Sequence, residues 1–240
     1  NKKLTKGQFF NIAMKIPQAP WSSKEKTDNG MLSAKEILDK IQHIRRILKE
    51  KGKKVQSYNG KGLVSLFLPE DFIYEKTNNK NPDEPTVKIW RGVMYEGILD
   101  KNIIGASYNA IQQVLNKEYG AEAAAHFIDC IQFSTNNYLL VDGFTVGLGD
   151  CLISQELDEN GLTKEEKIKD VVSKCYVEAE AIKQSTNHTG IREIRINAAL
   201  SKAKDIGLKI AKDTLSKDNN FLSTVNSGSK GDFFNIAQIT

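Results

Sequence analysis

Residues 163–191 read TKEEKIKDVVSKCYVEAEAIKQSTNHTGI, and this stretch decides the architecture of the second half of the chain. Thr163-Lys-Glu-Glu166 is a capping box: a hydroxyl that takes a backbone N–H, with a glutamate three residues on that reaches back. It opens a helix predicted to run to about Ser185. Residues 186–190 (TNHTG) turn the chain, and a return helix is expected from Ile191 to about Ser216. Two long helices joined by a short polar turn make an antiparallel hairpin. Such hairpins usually project from a larger body, with tips that meet partners or solvent.

Upstream, helices of a shorter kind are expected. Ser107 to about Lys117 forms one that ends near Gly120. Ala121 to about Val141 forms another, with Ala124, Phe127, Ile128, Ile131 and Leu139 or Leu140 as core contacts and Gly143 just beyond its end. Phe144-Thr-Val-Gly-Leu-Gly-Asp150 is a compact glycine-rich link. Its G-x-G spacing is no dinucleotide fingerprint, because no strand precedes it and no glycine-opened helix follows. Asp142 and Asp150 bracket the link, and short carboxylates there serve as caps or turn formers.

The first hundred residues are mixed and loop-rich. Residues 4–16 have helical apolar spacing, broken by Pro17, Pro20 and Trp21. Ser33-Ala-Lys-Glu36 is another capping box, opening a basic amphipathic helix through about Lys51 with Ile37, Ile41, Ile44 and Leu48 as its apolar stripe. Its basic face is either solvated or a nucleic-acid contact. Residues 51–61 are a lysine-rich loop; Leu63–Leu68, stopped by Pro69, is a strand or one helical turn. Residues 76–86 are loop. Val87 to Leu99 reads as two short strands around an Arg91-Gly92 turn. The fold class is therefore α+β: a loop-rich mixed N-terminal part, then a mostly helical part carrying the hairpin.

Composition excludes several functions. The 240 residues are 40% hydrophobic, enough for a real core, and carry a net charge of only +4. That mild excess lacks the concentrated basic stripe of a free-standing nucleic-acid binder. Cys130, Cys151 and Cys175 are an odd number at no zinc-knuckle spacing, as are the scattered His43, His126 and His188, so no metal site is assigned. No run approaches the ~20 apolar residues of a membrane span. No Ser, Cys or His constellation points to nucleophilic catalysis, and no paired acids point to a general acid–base site. The chain begins with Asn and stops inside a patterned segment, which reads as a piece of a longer polypeptide.

The last fifteen residues, Asn226 to Thr240, hold the one short segment suited to an anion. Gly228-Ser229-Lys230-Gly231 presents a cation in a permissive loop whose backbone N–H groups can approach a phosphate. It is not a P-loop, since the first glycine and the strand–loop–helix context are missing. An apolar, amide-bearing run, Phe233 to Gln238, follows.

Taken in order, Arg91-Gly92, Ile104-Gly-Ala-Ser107, Glu118-Tyr-Gly-Ala-Glu-Ala-Ala-Ala125, Asn137-Tyr-Leu-Leu-Val-Asp-Gly-Phe-Thr-Val-Gly-Leu-Gly-Asp150, the helical hairpin, Asn219-Asn220 and the Gly-Ser-Lys-Gly segment resemble the middle of the largest subunit of multisubunit DNA-directed RNA polymerases, of the RNA polymerase II kind. The resemblance covers residues 60–240 well and 1–21 loosely. It implies a pore-like domain (domain 3) over 1–103 and a funnel domain (domain 4) over 104–240, with the hairpin at 163–216. Residues 22–58, including the basic helix, depart from the pattern and read as an insertion. Lys/Asn-rich composition and these departures point to a divergent source, a large cytoplasmic DNA virus first and a protist second.

The resemblance implies a role beside the secondary channel, through which nucleoside triphosphates enter and backtracked RNA leaves, and on whose rim a transcript-cleavage factor docks. The parent enzyme is a nucleotidyltransferase that uses two metal ions. Its Asn-Ala-Asp-Phe-Asp-Gly-Asp loop is not in this sequence, so Mg2+ is expected to bind outside it and the chain alone to be inert. Implied partners are the second-largest subunit, the cleavage factor, NTP, RNA and DNA, but no membrane. The implied place is intracellular: a viral factory or virion in the cytoplasm, or the nucleus of a cellular source.

Lys230 matches the family lysine near the incoming triphosphate, with Ser229 and Gly231 shaping its loop. Asp232 stands where the family usually has serine, which weakens the local positive potential. Asn235 and Gln238 are expected to satisfy buried backbone groups near the channel floor. Ser201 and Lys204 occupy the family's Asn-x-x-Arg positions for fungal amatoxins, which implies low toxin sensitivity. Competing readings are a free-standing helical adaptor or a weak nucleic-acid-binding module built on the helix at 33–51.

Overall fold

The structure, a computed structural model, describes residues 3–21, 26–77, 86–152, 161–185, 188–216 and 218–239. The chain forms two compact units, Asn1–Phe144 and Thr145–Thr240. The division falls some forty residues after the expected 103/104 boundary. The reason is packing: Ile103, Ile111, Leu115, Phe127 and Cys130 are all buried in the first unit's core.

The first unit opens with α1 (Lys6–Ala13), capped by Thr5, whose Oγ1 accepts from Gln8 N at 3.2 Å while Gln8 Oε1 accepts from Thr5 N at 3.0 Å. Helix α2 (Ala34–Glu50) starts at Ser33 through the same device with Glu36. Its Ile37, Ile41, Ile44, Ile47 and Leu48 are buried in the main core with Phe9, Ile12 and Leu66. The stretch expected to be an insertion thus supplies a principal wall of the core. Its basic face is largely engaged. Arg45 donates to Ser57 Oγ and Tyr58 OH, and Arg46 pairs with His43 Nδ1 at 2.9 Å. His43 Nε2 meets the Arg91 carbonyl at 2.9 Å, and Lys51, at the end of the helix, lies 4.0 Å from the Trp90 ring centroid.

A short helix, α3 (Gly60–Val64), settles the Leu63–Leu68 alternative as a helical turn. Strands β1 (Tyr74–Thr77), β2 (Thr86–Trp90) and β3 (Val93–Glu96) follow in an antiparallel sheet of that order. β2 and β3 are the expected hairpin. Trp90 pairs with Val93, and both turn residues are left-handed, Arg91 at φ 49° and Gly92 at φ 71°. This matches the two-residue turn whose twist suits a hairpin. β1 was not expected; it and the first residue of β2 cut into the 76–86 loop, and 78–85 lie outside the described residues. Only Tyr74 of β1 is buried, so its sequence lacks the alternation that marks a strand.

Helix α4 (Lys101–Ile104) is an unpredicted single turn capped by Asp100. Helix α5 (Ile111–Tyr119) begins four residues later than expected, because Asn109 is left-handed at φ 54° and two carbonyls there are held from β1. Tyr74 OH donates to Asn109 O and Lys76 Nζ to Tyr108 O. Helix α6 (Ala121–Asp142) matches its expected span and ends at Gly143, φ 66°. Phe127 is buried and Ala124 and Ile131 pack on the core. Ile128, Leu139 and Leu140 are exposed, contrary to expectation; Ile128 and Leu139 lie on the helix face opposite the buried stripe of Ala123, Phe127, Cys130 and Ser134.

The second unit holds a 3-10 turn (Leu148–Cys151), the hairpin helices α7 (Lys164–Ser185) and α8 (Thr189–Thr214), and two short helices, α9 (Asn220–Asn226) and α10 (Phe233–Ile239). Thr163 and Glu166 form the expected capping box. The hairpin is as read, although residues 186–187 of its turn lie outside the described residues. Cys175 on α7 and Ala199 on α8 are buried, and Lys202 Nζ reaches Glu178 Oε1 at 2.7 Å. That exposed ion pair adds little stability. A small core of Val225 and Ile236, flanked by Leu215, Phe221, Leu222 and Phe233, joins α9 to α10. The observed class is α+β.

Candidate functional site

Lys230 sits between α9 and α10. Helix α9 stops at Ser227, whose N–H bonds to Ser223 O, and Gly228 follows at φ 71° with its N–H on Val225 O. A left-handed glycine here is an ordinary helix stop. Ser229 then folds back: its Oγ donates to Thr224 O at 3.0 Å. Its hydroxyl proton is committed to α9, so it shapes the loop rather than offering a donor to a ligand. Gly231 is left-handed too, φ 71°, and a Cβ there would meet Asn235 Oδ1 at 3.1 Å. Lys230, held between two left-handed glycines, is exposed, and no ion pair among the described residues involves it.

Asp232 has a local structural reason. Its Oδ1 accepts from Phe234 N at 2.9 Å and Asn235 N at 3.2 Å, while Asn235 Oδ1 accepts from Asp232 N at 2.8 Å. The two residues cap α10 reciprocally. Serine and aspartate are equivalent N-caps, so the departure from serine preserves the helix start while adding a charge. Asn235 does serve a backbone group, but that group is exposed in this chain rather than buried. Gln238 is exposed on α10.

Ser201 and Lys204 are exposed on α8, one turn apart. Lys204 Nζ lies 4.7 Å from the Phe234 ring centroid, which ties α8 to α10 beside the Lys230 loop. A lysine over a phenyl face is a cation–π contact. The structure therefore gathers Lys204, Ser229, Lys230, Gly231 and Asn235 onto α10 and its approach.

Sequence reading missed the support for this loop. Asp150 Oδ2 accepts from Gly147 N at 2.9 Å and its Oδ1 from Asn220 N at 3.0 Å. These backbone donors, Gly147 first and Asn220 second, hold its carboxyl below the usual range. Its carbonyl accepts from Asn219 Nδ2 at 2.8 Å, and Asn220 Nδ2 donates to Thr145 O at 2.7 Å. Asn219 Oδ1 in turn caps α9 through Leu222 N at 2.9 Å. Asp150 was read as a turn former, which it is. Its bond to a residue 70 positions later has no local signature.

A second missed pair lies in the first unit. His126 and Cys130 are buried one turn apart on α6, Sγ 3.4 Å from Nε2, with Trp21 edge-on to the imidazole at 5.1 Å. The i, i+4 spacing could have revealed it. Burial pushes the thiol up to about 12 and lowers the imidazole below its ordinary value, so both are neutral. A neutral thiol is a poor nucleophile, and the pair is a core contact.

The family described as RNA polymerase Rpb1, domain 3, matches residues 2–151, and RNA polymerase Rpb1, domain 4, matches residues 162–240. A protein of Invertebrate iridescent virus 6, described as a probable DNA-directed RNA polymerase II subunit RPB1 homolog, is 38% identical over 244 residues. That alignment covers 99% of this chain and 21% of the viral protein, so the chain spans about a fifth of its relative's length. Two consecutive domains in the same order, together with that identity, show that the chain belongs to the Rpb1 family of largest RNA polymerase subunits.

Proposed function

We propose that this chain forms the pore and funnel of a DNA-directed RNA polymerase, lining the secondary channel. Nucleoside triphosphates enter past it, backtracked RNA leaves past it, and a cleavage factor docks on the α7–α8 hairpin. Lys230 contacts the triphosphate. The observation that carries this reading is the Lys230 loop: an exposed ammonium group with no ion pair among the described residues, on a loop tied to both flanking helices. A compact charge on a prepared loop suits a polyphosphate in transit.

The second-largest subunit, RNA and DNA complete the assembly, in a viral factory or virion if the source is viral and in the nucleus if cellular. Among the described residues no helix is long and apolar enough to cross a membrane. Nor does any group of three His, Cys, Asp or Glu among them suit a metal. The Mg2+ ions of phosphoryl transfer, and the transfer itself, belong in this reading to parts of the polymerase outside this chain, because the Asn-Ala-Asp-Phe-Asp-Gly-Asp loop of the family is not in this sequence.

A nucleoside triphosphate with a photoreactive group on its γ-phosphate tests this directly. In the assembled polymerase it is expected to label the peptide containing Lys230, and excess unmodified nucleotide to suppress the label. Labelling confined to other regions would contradict the assignment. On α8, Ser201 and Lys204 offer neither an amide nor a bidentate guanidinium. The parent enzyme is accordingly expected to transcribe at amatoxin doses that stop animal RNA polymerase II, and inhibition at those doses would refute this.

A further inference from the structure

We infer that Asp150 is a positioning residue for Lys230, acting through α9 as a strut; this rests on the phosphate reading of Lys230. The three hydrogen bonds joining Thr145 and Asp150 to Asn219 and Asn220, with the Leu222 cap, fix the start of α9. At its far end Thr224 O receives both Ser227 Oγ and Ser229 Oγ at 3.0 Å. Lys230 is the next residue. Helix α9 has seven residues, so about 10 Å of helix separates the anchor from the loop. Val225 is buried against Ile236, with Phe221, Leu222 and Phe233 packed on the pair, which holds α9 along its apolar side. The Asp150 anchor ties down its N-terminal end.

The carboxylate is needed because both of its oxygens face backbone donors. In Asp150→Asn one amide NH2 must face an N–H, so one bond is lost and two donors oppose each other. Asn220→Pro offers a second route. Asn220 is the first residue of α9, where proline fits, and Asn219 already has the extended backbone that precedes proline (φ −68°, ψ 122°). Proline there deletes the N–H given to Asp150, along with the side-chain bond to Thr145. Asn220→Ala deletes only the latter, so the difference between the two isolates the bond to Asp150.

The test uses assembled polymerase carrying Asp150→Asn, Lys230→Ala, both, or either Asn220 variant. Two quantities are read: amide exchange across 219–231, and the nucleotide concentration for half-maximal elongation. Asp150→Asn and Asn220→Pro are expected to speed exchange there, Asn220→Ala much less. Asp150→Asn is expected to raise the nucleotide requirement about five-fold alone and to add nothing in the Lys230→Ala background, since two groups acting through one contact are not additive. Unchanged exchange in Asp150→Asn and Asn220→Pro, or an Asp150→Asn effect that persists undiminished without Lys230, overturns the inference. An unchanged requirement in Lys230→Ala alone overturns the phosphate reading, while faster exchange in Asp150→Asn still supports the anchor itself.

Discussion

Ile44→Ala is expected to destabilise the first unit by about 3 kcal/mol, whereas Lys35→Ala on the same helix shifts it by less than about 0.5 kcal/mol. Ile44 is 2% exposed and sits mid-way along α2, in the same core as Phe9, Ile12 and Leu66. Truncation removes its buried methylenes and leaves a cavity that a two-ended helix cannot close. Both tryptophans, Trp21 and Trp90, lie in the first unit. Urea unfolding followed by tryptophan fluorescence therefore reports that unit by itself. An unchanged midpoint for Ile44→Ala would mean that α2 does not support this core.

The second large effect concerns Lys230. Removing an ammonium that touches a phosphate forfeits a hydrogen bond to a charged group, about 1.5–3 kcal/mol. At about 1.4 kcal/mol per factor of ten, Lys230→Ala is expected to raise the nucleotide requirement at least about ten-fold. The loop is held by Ser229, Gly231 and Asn235, so assembly survives the change. Lys230→Arg retains the charge and is expected to lose only part of the effect. Asp232→Asn sharpens the comparison. Asparagine caps a helix as well as aspartate does, so α10 keeps its start while a negative charge two residues from Lys230 disappears. The requirement is then expected to fall about two-fold, and less at high salt, where a Debye length of about 3 Å screens the pair. A rise would mean that Asp232 helps the site through something other than its charge.

Much of this fold was legible because its signals are local. The capping boxes at Thr5, Ser33 and Thr163 involve residues three apart, and two of them, at Ser33 and Thr163, were read directly. The Arg91-Gly92 turn and the Gly143 stop are set by backbone handedness at single positions. What escaped depends on residues far apart. β1 exists because it pairs with β2, Tyr74 opposite Ile89, while its own side chains carry little pattern. The late start of α5 comes from Tyr74 and Lys76, more than thirty residues upstream. The exposure of Leu140 is not encoded in the periodicity of α6, whereas that of Leu139 follows from its place opposite the buried stripe.

The site divides in the same way. The Lys230 loop declared itself through its glycines. Its anchor did not, because Asp150 and Asn220 are 70 residues apart in the sequence, with the hairpin between them. The core wall supplied by α2 was legible as well, since Ile37, Ile41, Ile44 and Leu48 have the spacing of a buried face, and a stretch that departs from the family pattern can still be built into the core.

The most direct measurement is elongation rate against nucleotide concentration for matched polymerases carrying Lys230 or Lys230→Ala, at one fixed ionic strength. The account expects similar maximal rates and a half-maximal nucleotide concentration shifted upward by about ten-fold or more. Superimposable curves would contradict it, and with them the claim that this loop meets the triphosphate.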